Sequence, residues 1–154
     1  MTILELLITM ALLGVVAALA LPSMMDSLGR TSAKSATRSF TSALSLARSE
    51  AVKTGSRVSI CPSVDGEDCT AGSWSSGWFV FIDANGDADG DTGSVDAGDT
   101  ILRRFEPLSG MMLSSSPSTS LLRYDAKCYG MNAAAVTFSL CPLDGNTNNA
   151  RRIE

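Results

Sequence analysis

Apolar residues dominate the chain from its second residue onward. Positions 6–21 (LLITMALLGVVAALAL) hold no charged side chain and no strongly polar one except Thr9, and Glu5 is the single charge in residues 1–25. With Thr2, Ile3 and Leu4 in front, the run reaches about 20 residues, enough to span roughly 30 Å of hydrocarbon as a helix. A cleavable signal peptide would place basic residues ahead of the apolar run; here no Lys or Arg precedes Arg30. Beyond Pro22 the helical period continues. Met25, Leu28, Ser32, Ala36, Phe40, Ala43, Leu44, Ala47 and Ala51 recur mostly at steps of three and four, an apolar-to-small stripe. Arg30, Lys34 and Arg38 repeat every four residues on another face, with Asp26 four residues before Arg30, and read as a solvated row. Gly55 follows Lys53 and Thr54 as a stop. The pattern predicts one helix of about 50 residues, about 75–80 Å long. A domain built from the remainder of a 154-residue chain cannot bury it. Part of it must find partners elsewhere, lipid first and other chains later.

Three residues disturb this spine. Gly14 costs about 1 kcal/mol relative to Ala, and Pro22 removes a backbone donor and crowds the carbonyl of Ala18. Local loss of helical hydrogen bonding between them is expected in an assembled form. Glu5 puts a carboxylate in an apolar stretch, at a cost of about 3 kcal/mol near a bilayer centre and less near an end. The nearest candidate partner is an α-amino group, its own or that of a neighbouring copy.

Taken together, M-T-I-L-E-L-L-I-T-M-A-L-L-G-V-V-A-A-L-A-L-P resembles the mature N-terminus of type IV pilins and type II secretion pseudopilins. That family starts F-T-L-I-E-L and often has Gly and Pro where this chain has Gly14 and Pro22. Met1 stands in place of the usual Phe, and the family's short leader ending in Gly is not in the sequence, as expected of a processed chain. The resemblance implies that Met1 is the processed and methylated N-terminus, that Glu5 sets register during assembly, and that Gly14 and Pro22 mark a helix break. It also implies a bacterial inner-membrane stage before assembly, a prepilin peptidase and pilus assembly machinery as partners, and a destination in an extracellular pilus or a periplasmic pseudopilus.

After Gly55 the texture changes to short runs separated by Gly, Ser, Asp and Pro. Residues 57–61 (RVSIC), 78–82 (WFVFI), 100–105 (TILRRF), 121–124 and 134–141 (AAVTFSLC) are strand candidates. Residues 109–120 (SGMMLSSSPSTS) read as an exposed connection. The expected fold is α+β, with the C-terminal half of the helical spine packed on an antiparallel sheet. Its parts are a hydrophobic membrane or filament-core helix over 1–25, the amphipathic half of the same helix over 26–55, and a β-rich globular part over 56–154. L-A-R-S-E-A-V-K-T-G (46–55), G-W-F-V-F-I-D-A-N-G-D (77–87) and I-L-R-R-F (101–105) are similar to FimT/GspH-type minor pilins and pseudopilins. Members of that group often end in a further strand and a Gly-Arg-rich tail, which the resemblance links to DNA binding. Residues 150–154 (ARRIE) do not match such a tail, so DNA is not the favoured partner.

Composition narrows the chemistry. The chain has no histidine, which removes His-based triads and His metal sites, and its net charge of −4 argues against bulk nucleic-acid binding. Arg103, Arg104, Arg123, Lys127, Arg151 and Arg152 read as scattered surface charge. No nucleophile motif or phosphate-binding glycine pattern is present, and an enzyme is not expected. Cys61, Cys69, Cys128 and Cys141 allow three disulfide connectivities. The local pairing 61–69 with 128–141 needs the least rearrangement. A four-thiolate zinc site is the alternative, but neither pair has the tight spacing of zinc ligands. Asp83, Asn85, Asp87 and Asp89 alternate as in the first half of a calcium loop, yet the sixth position is Ala88 and the twelfth is Ser94. The tract 83–99 is therefore expected to be a solvated hairpin without a cofactor, with bound Ca2+ as the alternative. The function expected is that of a structural subunit of a type IV pilus-like filament, built with copies of itself or other pilins by packing of N-terminal helices. The alternatives are a minor tip pilin that primes assembly or binds DNA for uptake, and a secretion pseudopilin.

Overall fold

The expected spine is present as α1 (Ile3–Thr54). The computed structural model describes residues 2–70, 72–84, 95–96, 98–127, 135–143 and 150–153, with the backbone alone over 19–26. Gly55 closes the helix in the left-handed region at φ 67°, and its N–H donates to the Ala51 carbonyl at 3.0 Å, as the stop signal required. Between these ends α1 is continuous. In the single chain α1 runs through both Gly14 and Pro22; the loss of hydrogen bonding expected between them concerns the assembled form. One weak helix former and one missing donor are each flanked by at least two helical turns, and the intact ladders on either side carry them.

Only the upper part of α1 is buried. Ala33, Ala36, Phe40, Ala43, Ala47 and Ala51 face the sheets and are buried, whereas Ser32 and Leu28, assigned above to the same stripe, are exposed. The sheets cover the helix only from Ala33 upward, so the stripe below it has no surface to pack on. The small alanines bring the sheets close to the helix axis, and Phe40 is the large fully buried side chain on this face, with Leu44 and Leu46 packed partly buried against the same core.

Among the described residues seven strands follow: β1 (Arg57–Pro62), β2 (Trp78–Asp83), β3 (Thr100–Phe105), β4 (Met111–Ser116), β5 (Leu122–Tyr124), β6 (Thr137–Pro142) and β7 (Arg151–Ile153). They form a four-stranded sheet in the order β3-β2-β1-β5 and a three-stranded sheet in the order β4-β6-β7, antiparallel throughout. Residues 109–120, read above as an exposed connection, contain β4. Met111 and Leu113 point into the core while Met112 and Ser114 point out, a two-residue alternation hidden in a serine-rich tract. The end of the chain is also structured: β7 pairs with β6 through Phe138↔Ile153 and Leu140↔Arg151.

The two sheets and α1 share one core around Phe40. Its ring lies 4.5 Å from Phe138, 5.3 Å from Trp78 and 5.6 Å from Trp74, centroid to centroid. The two tryptophans meet it edge-on, the favourable quadrupole geometry. A short 3₁₀ turn, Trp74–Ser76, joins the sheets. Trp74 Nε1 donates to Thr119 O at 2.8 Å, and Ser75 accepts from Leu113 N through Oγ and from Leu108 N through its carbonyl. Gly77 follows at φ 105°, where an added Cβ would stand 2.8 Å from Phe105 O. A smaller apolar layer lies on the far side of the first sheet, where Cys61, Phe79 and Phe81 are covered by Cys69, Val95, Ile101 and Leu121.

Candidate functional site

The lower half of α1 has apolar side chains facing solvent on every side. Ile3 is 84% exposed, and Leu4, Leu7, Met10, Leu12, Leu13, Val15 and Val16 are all exposed. Helical amphipathicity ordinarily buries one face; here no face is polar, so this segment is built to be surrounded. Among the described residues, no helix is long and apolar enough to cross a membrane. Met1 lies outside the described residues. Thr2 and Glu5 close the helix start reciprocally: Thr2 Oγ1 accepts from Glu5 N at 3.3 Å, and Glu5 Oε2 accepts from Thr2 N at 3.4 Å. This capping box satisfies two donors that the helix cannot pair itself. It was legible as Thr-x-x-Glu directly before an apolar run, a signal that the reading of Glu5 as an intermolecular partner passed over.

Higher on α1, Arg30, Lys34 and Arg38 are exposed as expected. On the β side, Cys61 and Cys69 form the expected local disulfide with Cα atoms 5.5 Å apart, which removes the four-thiolate zinc alternative. The loop that it closes is ordered from within. Asp65 Oδ1 accepts from Glu67 N at 2.9 Å and Asp68 N at 3.3 Å, while Ser63 Oγ accepts from Gly66 N and donates to Asp68 O at 2.7 Å. The backbone N–H groups of Glu67 and Asp68, then the Ser63 hydroxyl, hold the Asp65 carboxyl below the usual carboxylate range. Arg104 ties the loop to the body: its Nε donates to Gly66 O at 2.7 Å. A groove of about 420 Å³ between α1 and the β3–β4 connection is lined by residues that include Ser32, Ser35, Ser39, Arg103, Arg104 and Glu106.

The remaining candidates separate. Asp83 is buried at the end of β2, with Arg57 Nη1 3.9 Å from its Oδ2 across the β1–β2 ladder. Its carboxylate thus serves the sheet rather than the loop. Asn85, Asp87 and Asp89 lie outside the described residues, and among the described ones no group of three or more acidic, Cys or His side chains is placed to hold a metal ion. Cys141 has a free thiol among the described residues; the expected second disulfide involves Cys128, which lies outside the described residues. Two basic side chains of the globular part are engaged within the fold: Arg103 stacks over Phe105 at 4.9 Å and Arg104 holds Gly66.

Residues 36–154, the buried half of α1 with both sheets, match the family model described as type II transport protein GspH. The chain belongs to the GspH family. Crystal structures of the type IV minor pilin FimU from Pseudomonas aeruginosa (strain PAO1) share the fold of this GspH-family chain. One superposes with a TM-score of 0.57 at 22% identity over 80% of this chain and 81% of that one. A second crystal form gives 0.55 at 22% over 77% and 82%. The comparison with curated proteins returned no match. The fold is therefore the pilin fold, and the GspH-family chain is a type IV pilin-like or pseudopilin subunit that assembles with other pilins in a pilus or pseudopilus. Membership points to a structural, non-enzymatic protein.

Proposed function

We propose that this GspH-family chain is a structural subunit of a type IV pilus-like filament, held in the bacterial inner membrane by residues 1–21 until it is extracted. The observation that carries this reading is the lower half of α1, whose described side chains are apolar on every face and have no partner among the described residues. Burial of such side chains is worth roughly 1.5–3 kcal/mol each, and neighbouring spines supply that burial as well as lipid does. Processing and methylation at Met1, by a prepilin peptidase and its associated machinery, precede extraction. Glu5 then neutralises a neighbour's N-terminal amine and fixes the axial register. The family's description supports a second reading, a pseudopilin in a secretion machine, in which the same helix packing builds a periplasmic pseudopilus. Minor status, as in FimU, differs from both in abundance rather than in packing. DNA is not the favoured partner, because the net charge of −4 repels a polyanion. Imaging of purified filaments with mass spectrometry of their components tests the proposal. The chain is expected in surface filaments; its recovery only with a secretion complex selects the second reading.

A further inference from the structure

One face of α1 carries charge that neither the core nor the apolar spine uses. Arg30, Lys34 and Arg38 are exposed there, and among the described residues none of them has an ion-pair partner. Steps of four residues place them about 6 Å apart along the helix, roughly 130° around its axis from Ala33, Ala36 and Phe40, which are buried against the sheets. The row therefore points away from the body. Arg48 continues the same line about five turns above Arg30, but its guanidinium is spent over the Tyr124 ring, 5.6 Å from the centroid. The height of the row follows from the spine. Glu5 and Asp26 bracket an uncharged stretch, residues 6–25, whose length of about 30 Å as a helix equals the hydrocarbon thickness of a bilayer. α1 runs unbroken from that stretch into the row. Arg30 thus stands about 7 Å beyond the stretch, at the depth of the headgroups. Lys34 and Arg38 follow about 6 and 12 Å higher, and their long side chains bring both charges within about a Debye length of that layer.

We propose that the Arg30–Lys34–Arg38 row binds the anionic phospholipid headgroups of the leaflet beside the body while the chain is held in the membrane. The contact rests on the membrane-held stage of the reading above and adds what sets the depth and tilt of the subunit there. Attraction draws the basic face of α1 toward the surface. The body, where acids outnumber bases, lies on the other side of the helix and is lifted clear of the like-charged headgroups. A lipid surface is favoured over a second copy because its distance from the row is fixed within one chain. It is favoured over nucleic acid because a free polyanion must approach against a net charge of −4, whereas the spine already holds the row beside the bilayer. Each cation near an anionic surface adds its own attraction, and extraction into a filament has to break all three.

The test transfers the full chain from detergent micelles into vesicles and reads the fraction inserted. One set of vesicles is phosphatidylcholine alone, and the other is equal parts phosphatidylcholine and phosphatidylglycerol. The wild type is expected to partition into the anionic vesicles about tenfold or more strongly than into the neutral ones. High sodium chloride should abolish that preference, a readout that needs no variant to fold. The triple variant Arg30→Gln, Lys34→Gln, Arg38→Gln should insert into neutral vesicles as the wild type does and show no preference for the anionic ones. Equal partitioning of the wild type, a preference that survives the triple substitution, or indifference to salt overturns the contact, while insertion into both vesicles leaves the membrane-held stage intact. A triple variant that keeps the vesicle preference yet is lost from sheared filaments assigns the row to a neighbouring copy and overturns the contact as well. Failure of the wild type to insert into either vesicle removes the membrane-held stage and this contact with it.

Discussion

Glu5 has two uses for one carboxylate. In the single chain it accepts from the Thr2 N–H, and in the proposed filament it faces a neighbour's amine. Substitutions separate the two, because Gln retains a capping-box acceptor while Ala does not. Glu5→Ala is expected to leave membrane insertion intact or improved, since a carboxylate in an apolar stretch is costly. Its filament recovery should fall by about tenfold or more. Glu5→Gln should keep the helix start and still lose assembly, if charge sets the register. Recovery of wild-type filament from Gln would overturn that role. The disulfide acts at the same scale but on stability. Cys61→Ser with Cys69→Ser reopens a short loop and should cost about 2–3 kcal/mol, lowering the Tm by roughly 5–10 °C in a calorimetric scan. Non-reducing peptide mapping should return the linked pair from the native chain.

Among the elements, Phe40 has the most to lose. It is fully buried and touches three other aromatic rings, one from each sheet and one from the 3₁₀ turn. Phe40→Ala is expected to cost about 3–5 kcal/mol in denaturant unfolding. Leu28→Ala on the same helix should stay within about 0.5 kcal/mol, because Leu28 is 60% exposed. The contrast also shows where the sequence was readable. Residues 57–61, 78–82 and 100–105 announce strands because bulky β-formers stand between glycine- and aspartate-rich breaks. Residues 111–116 do not: three of the six are serines that hydrogen-bond and solvate like loop residues, Met112 points outward, and only two inward side chains carry the period. β7 was too short to show any period at all. The helix was read nearly to its last residue, yet how far the sheets cover it depends on tertiary contacts that no periodicity encodes. The same gap separated Glu5, visible as an anomaly, from Thr2, whose part is visible only as a pair. Asp83, read as the start of a solvated loop with bound Ca2+ as the alternative, is buried at the end of β2 opposite Arg57, because strand register sets its neighbour.

At the scale of the whole molecule, most carboxylates lie beyond Gly55, and the tract from Asp83 to Asp99 is the densest. A calcium ion held there at about 100 times its Kd would add about 2.7 kcal/mol to the folded state. Thermal scans with calcium and with chelator are expected to coincide, because Asp83 is committed inside the sheet and Asp99 accepts from Ala84 N and Asp96 N. A calcium-dependent rise of several degrees would restore the bound-ion alternative.

The order in which the strands enter the two sheets has a mechanical consequence. β1, β2 and β3 build the first sheet, β4 enters the second, β5 returns to the first, and β6 and β7 return to the second. The backbone thus stitches the sheets together, and neither can peel away while the other keeps its seam. Tension that travels along a fibre of such subunits arrives through α1 and reaches the body at Phe40, between the sheets. The load is divided across both from the first moment, and the body yields all at once or not at all.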